Sequence, residues 1–281
     1  MVDPRRLVIQ HALTARYLGV DFVPVYRNVT AAGQGGGNAS PSGASILHNA
    51  GDAGASAGDG VAPLLRSPSY PPAGAGMKGE LLDALRDRYT QDEPHSAFHT
   101  EYINLVFDDG DPDAQLMFVG EAPGAEEDQQ GRPFVGRAGQ LLDKMIAAMG
   151  LTRDGVYIAN VLKTRPVNNA TPTPEECALC APYLFEQIRI VRPRAIVALG
   201  RPASLTLLGG DRPLGAMRGT WHEFPSDATP PEARPDIEPI PVMPTYHPAY
   251  VLRTYNTDSR TKVWSDLQQV MDLLGLERKR Q

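Results

Sequence analysis

Residues 115–150 constrain the fold most, because they carry a strand, a loop and a helix in direct succession. Residues 116–119, Leu-Met-Phe-Val, form an apolar run of the length typical of a strand buried on both faces. Apolar residues at i, i+3, i+4 and i+7 spacing then predict a helix that ends at Gly150, with Ala138, Leu141, Leu142, Met145, Ile146 and Met149 on its buried face. Loops that leave the carboxyl ends of α/β strands commonly bind ligands. The loop between these two elements is therefore the first candidate site.

The loop matches neither of two common phosphate-binding motifs. Residues 131–138, GRPFVGRA, approach the pattern GxxxxGK[ST], but Arg137 replaces the lysine and Ala138 the hydroxyl that binds Mg²⁺. Pro133 also removes a backbone donor. The segment GEAPG does not match GxGxxG, so a dinucleotide site is not expected either. Composition alone leaves a purely structural loop as an equal alternative, since Gly and Pro occur in turns of every kind.

Strands and helices continue to alternate downstream. A strand over residues 156–160 ends on Asn160, a capping box with proline at the first helical position opens a helix at Thr173, and a buried strand spans residues 195–200. A further strand over residues 241–246 leads to His247. This order predicts an α/β fold, a three-layer sandwich with a central, mostly parallel four-stranded sheet flanked by helices.

The chain divides into three parts by composition. Residues 1–29 carry a capped amphipathic helix and are predicted to be an N-terminal helical extension. Residues 30–77 are dominated by Gly, Ala, Ser and Pro, and they predict a disordered linker. Residues 78–278 form the predicted compact domain, interrupted at 226–238 by a proline-rich acidic segment that predicts an exposed loop.

The composition also limits where the protein can be located and which ligands it can bind. No apolar run approaches the roughly 18 residues of a membrane span, and no signal-peptide pattern opens the chain, so a cytoplasmic protein without membrane attachment is expected. The two cysteines, Cys177 and Cys180, form no disulfide framework and only half of a metal-binding pattern. The net charge of −6 is unusual for a DNA-binding protein, unless the acidic residues lie away from the site and leave a local basic patch.

Three motifs resemble one enzyme family. Residues 120–142, GEAPGAEEDQQGRPFVGRAGQLL, are similar to the first signature of the family-four uracil-DNA glycosylases. NVLKTRP, beginning at Asn160, and HPAYVLR, beginning at His247, are similar to the other two, in the same order. The resemblance covers residues 104–275. It implies a hydrolase that releases uracil from DNA and leaves an abasic site in base excision repair.

The resemblance assigns a role to four side chains. Glu121 would hold the attacking water and offset the positive charge on the sugar, and His247 would donate to uracil O2 as negative charge develops there. Phe134 would stack on the base that is flipped out of the duplex. Asn160 would read uracil, because its carboxamide offers an acceptor to N3–H and a donor to O4, and cytosine presents the reverse at both positions.

The resemblance also assigns secondary contacts. Glu127 would lie near C5 of the base and exclude the methyl group of thymine, and Ala122 would offer backbone contacts to the base. The other acids of this loop, Glu126 and Asp128, are expected to be solvated. Several more residues would bind the DNA strand, with glycine amides on phosphates, a side chain wedged into the base stack and an arginine on a phosphate. They are Gly124, Gly136, Gly139, Val251 or Leu252, and Arg253.

The chain departs from the family at its iron–sulfur cluster. Most members hold a [4Fe–4S] cluster on four cysteines. By spacing, the four positions here hold Glu93, Ser96, Thr164 and Cys180. One thiolate cannot hold such a cluster, so we expect a cluster-free variant without a cofactor or metal. A different metal on His95, His99 and Cys180 is the alternative.

Other readings remain open at this stage. The chain could be a non-catalytic DNA-binding module of the same fold, or a glycosylase for other deaminated or mismatched bases. A related group that traps DNA covalently carries a basic insert after the asparagine motif, and this chain lacks it, which favours turnover. The motifs place no lysine for Schiff-base chemistry, so a monofunctional, monomeric enzyme is expected. Its partner would be uracil-containing DNA, single- or double-stranded.

Overall fold

The computed structural model describes residues 76–227, 229, 234–254 and 256–277. The predicted N-terminal helix and nearly all of the predicted linker lie outside these residues. The three-part division of the chain therefore stays a prediction.

The described residues form one six-stranded sheet. Its strands are β1 (Asp108–Gly110), β2 (Leu116–Gly120), β3 (Tyr157–Asn160), β4 (Ala195–Leu199), β5 (His222–Phe224) and β6 (Ile240–Thr245). Their order in the sheet is β1-β3-β2-β4-β6-β5. The four central strands are parallel, which confirms the predicted four-stranded core. The antiparallel edge strands β1 and β5 were not predicted, because three residues are too few to show an alternating pattern.

Helices cover both faces of this sheet. They are α1 (Met77–Asp92), α2 (Ala125–Gln130), α3 (Arg137–Ala148), α4 (Pro174–Val191), α5 (Arg201–Leu208), α6 (Leu214–Met217), α7 (Pro248–Thr254) and α8 (Thr257–Leu274). The predicted capping box is present at the start of α4, where the Thr173 hydroxyl accepts from the Glu176 amide and the Glu176 carboxylate accepts from the Thr173 amide. Helix α4 continues through Pro182.

Two hydrophobic clusters lie on opposite faces of the sheet. Met117 and Val119 of β2 pack into the cluster with α1, α4 and α5. Leu116 and Phe118 pack into the other, with α3 and α8. Alternate residues of one strand are thus buried on opposite sides, which confirms the three-layer sandwich. Within the described part of the chain, every helix is too short or too polar to span a bilayer.

Parallel pairing brings four loops to one edge of the sheet. Gly120 at the end of β2 lies beside Asn160 at the end of β3, and Leu199 of β4 lies beside Thr245 of β6. The loops after these four strands therefore leave the sheet on the same side, as parallel topology requires.

Candidate active site

The predicted site residues meet at this edge. Glu121 follows β2 directly, Asn160 is the last residue of β3, and His247 comes two residues after β6. Phe134 reaches the same place from the loop between α2 and α3. We call Glu121, Phe134, Asn160 and His247 the strand-end site.

Gly120 lies beneath two members of the strand-end site. A β-carbon on this residue would lie 2.3 Å from Asn160 Oδ1 and 2.5 Å from Phe134 Cζ. Both side chains therefore rest against the backbone of Gly120, and no larger residue fits there without displacing them. Sequence reasoning noted this glycine only as the first letter of a motif.

Gly200, which follows β4, connects the other two members. A β-carbon here would lie 3.2 Å from His247 Cβ and 3.8 Å from Glu121 Oε2. The rings of Phe134 and His247 have centroids 5.5 Å apart, with their planes inclined by 32°. The four side chains thus form one contiguous group around two glycines.

The side chain of Asn160 carries an unused acceptor. The residue is 1% exposed, and its Oδ1 atom is buried without a hydrogen-bond partner among the described residues. Leaving a buried acceptor unpaired costs about 1–3 kcal/mol, so such atoms are rare in native proteins and need a reason. A ligand that donates a hydrogen bond to this oxygen would supply the missing partner.

Arg153 holds Phe134 in an unfavourable backbone conformation. Phe134 has φ of 52°, in the left-handed region that bulky residues avoid. Arg153 donates to the carbonyls of Phe134 at 2.9 Å and Pro133 at 2.5 Å, and its guanidinium is paired with Asp109 and Asp143. Sequence reasoning missed Arg153, since it lies in a short turn after α3 and belongs to none of the three motifs.

Glu127 fastens the loop on which the site is built. Its carboxylate accepts from the amides of Gly124 at 3.2 Å, Val135 at 2.9 Å and Gly136 at 2.8 Å. The amides of Gly124 and Gly136, which we expected on DNA phosphates, are therefore already engaged within the loop. The predicted role of Glu127 beside C5 of the base stays a prediction.

Two residues in the helices on either side of Phe134, Gly139 of α3 and Asp128 of α2, also have structural roles. A β-carbon on Gly139 would lie 1.9 Å from the Phe134 carbonyl oxygen, so α3 can pack against the loop only with glycine at this position. Asp128 was predicted to be solvated, and this is wrong. It is 1% exposed and accepts from the amides of Ile103 at 2.7 Å and Asn104 at 3.1 Å. Glu126 is exposed, as predicted.

Residues 107–268 match the family model described as the uracil DNA glycosylase superfamily. The chain is 41% identical over 199 residues to a type-4 uracil-DNA glycosylase of Thermotoga maritima, an alignment that covers 70% of this chain and 97% of that protein. It is 39% identical over 181 residues to a type-4 uracil-DNA glycosylase of Archaeoglobus fulgidus, with 63% and 85% covered. The chain belongs to the uracil DNA glycosylase superfamily. A type-5 uracil-DNA glycosylase of Pyrobaculum aerophilum is also similar, at 40% identity over 109 residues, with 34% of this chain and 48% of that protein covered.

The pKa values of the two ionisable members of the strand-end site, Glu121 and His247, are both shifted in favour of the neutral forms. Burial raises the pKa of Glu121, and the nearby positive charge of Arg253 partly offsets this rise. Burial, together with the nearby charge of Arg253, lowers the pKa of His247 to about 4. The amide of Ala249 donates to His247 Nδ1 at 3.1 Å, so the ring proton of the neutral imidazole lies on Nε2.

We expect His247 to stay neutral throughout the range from pH 5.5 to 8. Its ring would protonate only near pH 4, whereas the unfolded chain would protonate near 6.5, so this group lowers folding stability as the pH falls from 6.5 to 4. A ¹⁵N histidine NMR titration of the full chain checks this, with His247→Gln to assign the signal. A titration midpoint near 6.5, or a proton on Nδ1, would contradict the prediction.

Helix α7 follows His247 directly and carries the residues predicted to contact the DNA strand. Val251 is 3% exposed and packs in the core with α3 and α8, which removes it as the wedge. Leu252 is partly exposed and Arg253 is exposed, so both stay candidates for their predicted DNA contacts. Ala122 is partly buried and packs against the cluster beneath α4.

The residues at the predicted cluster positions do not fit a [4Fe–4S] cluster. Cys180 is the one sulfur among the four, and burial raises its pKa and that of Cys177 to about 12, so both are protonated thiols. Tyr89 lies against Cys180, with its hydroxyl 3.7 Å from Sγ, and its ring stacks on His95 at 5.5 Å. It also packs edge-on against Tyr183 at 4.8 Å. The space around Cys180 that a cluster and its other ligands would need is thus filled by packed ring side chains.

The alternative metal site at the same place is also not supported. Within the described ranges, no group of three or more His, Cys, Asp and Glu side chains could hold a metal ion. His95 instead bonds through Nε2 to the Tyr102 hydroxyl at 2.9 Å. Burial lowers the pKa of His95, in keeping with a neutral ring that packs on Tyr89.

Proposed function

We propose that this protein hydrolyses the N-glycosidic bond between uracil and deoxyribose in DNA, releasing uracil and leaving an abasic site for base excision repair. The unpaired, buried Oδ1 of Asn160 carries the proposal, because this residue belongs to one group with an aromatic ring, a neutral imidazole and a partly buried carboxylate. The relatives named as type-4 uracil-DNA glycosylases support the same substrate.

Asn160 would read the base. The Oδ1 atom accepts a hydrogen bond from uracil N3–H, and the side-chain amide donates to O4. Cytosine has an unprotonated N3 and an amino group at the two positions, so both contacts become repulsive. A buried site built for hydrogen bonds rejects such a mismatch strongly, because its polar groups are then left unpaired.

His247 would stabilise the leaving uracil. Bond cleavage places negative charge on the base, and Nε2–H can donate to O2 as this charge develops. A neutral donor suits this task, since its proton already lies on Nε2 and no ionisation is needed at neutral pH. Phe134 would stack on the face of the base and recover part of the cost of flipping it, roughly 1–3 kcal/mol.

Glu121 would act on the sugar side of the bond. As an anion it orients the attacking water, accepts its proton and offsets the charge of the oxocarbenium-like sugar. Burial favours the protonated form, and the charge of Arg253 favours the anion. We propose that Arg253 also binds a phosphate and that Leu252 fills the space left by the flipped base, with Ala122 against the base.

We further propose that the enzyme does not cleave the strand. Lys163 is the only lysine within the three motifs, and an amine that attacked the sugar would form a Schiff base. Its Nζ is instead buried and donates to the Asn160 carbonyl and to Gln187. Breaks should therefore appear only after alkali treatment.

The test is cleavage of an end-labelled oligonucleotide that carries one uracil, with alkali to reveal abasic sites. Matched substrates carry cytosine, thymine opposite guanine, or hypoxanthine in place of uracil, in single and double strands. Alkali-dependent cleavage of the uracil substrate is expected. Binding without cleavage would support the non-catalytic module. Faster cleavage of another substrate would show that the enzyme prefers that base to uracil.

We also propose that the protein is a cytoplasmic monomer. Sedimentation of the full chain at twice its 30.4 kDa would contradict the monomer.

A further inference from the structure

Lys163 is a buried lysine directly behind the strand-end site. It is 0% exposed, and its Nζ donates to the Asn160 carbonyl at 2.6 Å and to Gln187 Oε1 at 2.5 Å. The ring of Phe107 lies 5.1 Å from the same nitrogen. A lysine amine is rarely buried without a specific purpose, because removing it from water costs several kcal/mol.

The surroundings of Lys163 hold it in place in either charge state. Burial lowers its pKa to about 7, against the opposing effect of the Asp108 charge on β1. The Tyr157 hydroxyl on β3 is hydrogen-bonded to Gln187 and is thus linked to Lys163 through this glutamine. A neutral amine still has two N–H groups, which is enough for both acceptors, so the two hydrogen bonds persist across neutral pH.

Gln187 joins this lysine to a rigid polar network. Its Nε2 donates to the Tyr157 hydroxyl at 3.2 Å and to Asp108 Oδ2 at 3.3 Å. Tyr157 donates to the same carboxylate at 2.6 Å, and Arg86 of α1 pairs with its other oxygen at 2.8 Å. The Asn160 main chain is thereby tied through side chains to α4, β1 and α1.

We propose that Lys163 is a positioning residue that fixes the Asn160 main chain, so that the carboxamide keeps its oxygen directed at the base. This inference rests on the proposed base-reading role of Asn160. In the part of the chain that the structure describes, no donor bonds to Oδ1 before the base arrives, so the direction of this atom depends on how firmly the backbone behind it is held. The Lys163 bond to the Asn160 carbonyl provides that restraint on the side away from the site.

A double-mutant cycle tests the proposal. Lys163→Met removes the amine but keeps an unbranched apolar stem of four heavy atoms. We expect its single-turnover rate on a uracil oligonucleotide to fall about 10- to 100-fold, as misplacement of a substrate-contacting group by about 1 Å does. The dissociation constant for uracil-containing DNA should change much less. In an Asn160→Ala background, Lys163→Met should change the rate less than about twofold, because residues that act through one another are not additive.

Two further variants separate positioning from loss of stability. Leu267→Ala removes a buried side chain on the opposite face of the sheet and should destabilise the protein without a comparable fall in rate. Gln187→Leu removes one of the two hydrogen-bond acceptors of Lys163. It should lower the single-turnover rate by a smaller factor, and this effect should also disappear in the Asn160→Ala background. If Lys163→Met does not fold, Gln187→Leu replaces it in the test.

The outcomes distinguish the two proposals. If Asn160→Ala leaves the rate unchanged, the base-reading role itself is wrong. If Asn160→Ala lowers the rate but Lys163→Met acts equally in both backgrounds, or only as much as Leu267→Ala at matched stability, the positioning role of Lys163 is overturned.

Discussion

Replacing Glu121 with glutamine is expected to lower the rate of uracil excision by about 10²- to 10⁴-fold, the range typical for removal of a general base. Glutamine keeps the shape of the side chain but can neither accept a proton from water nor offset the charge on the sugar. Single-turnover cleavage of the uracil oligonucleotide measures the effect. Glu126→Gln, which removes an exposed carboxylate from the same loop, is the matched control and should cleave like the wild type.

The pH profile gives the same prediction an independent readout. Burial raises the pKa of Glu121, so the anion that we propose as the general base forms only above the ordinary pH range of a glutamate. The wild-type rate should therefore rise with pH and level off above this raised pKa. Glu121→Gln should lose that rise.

Stability should move in the opposite direction from activity. A carboxyl group whose pKa is raised by folding lowers stability as the pH rises through the unfolded value to the folded one. At pH 8 the wild type carries this penalty and Glu121→Gln does not, so the variant should unfold at the same temperature or a higher one. A variant that is both inactive and strongly destabilised would instead indicate that Glu121 has a structural role.

The central fold could be predicted because its signals are local. The strands at residues 116–120 and 195–199 are continuous apolar runs, and the structure buries every residue of both. The edge strands escaped prediction, since Asp108–Gly110 joins the sheet only by pairing with residues of β3 some fifty positions away. The edge strands β1 and β5 are defined by their pairing with β3 and β6, which their own composition does not reveal.

The four residues that meet in the strand-end site could be named from the motifs, but the residues that support them could not. Glu121, Asn160 and His247 each lie at or just beyond the end of a parallel strand, where topology alone brings them together. Phe134 depends on Arg153, whose contacts join segments about 20 residues apart. Asp128 was misjudged for a similar reason, because the amides it accepts from lie 24 and 25 residues earlier.

Replacing Asn160 with aspartate should lower uracil excision at pH 8 by at least about 10²-fold. The ionised side chain would have two acceptor oxygens and no donor, so one of them would face uracil O4 and repel it. Asn168→Asp adds the same charge at an exposed position and should leave the rate unchanged. Unchanged kinetics in Asn160→Asp would remove Asn160 from the base-reading site.

The pH dependence of this variant separates base reading from damage to the fold. A carboxylate at this buried position, where Oδ1 has no donor, would have a raised pKa and would lower stability more at pH 8 than at pH 5. When protonated, it offers one donor and one acceptor, as the carboxamide does. The rate of Asn160→Asp relative to that of the wild type should therefore rise as the pH falls, because Glu121 titrates in both proteins and its effect cancels in the ratio. Base reading by Asn160 predicts this change in the ratio, whereas a disrupted site would lower the rate by the same factor at every pH.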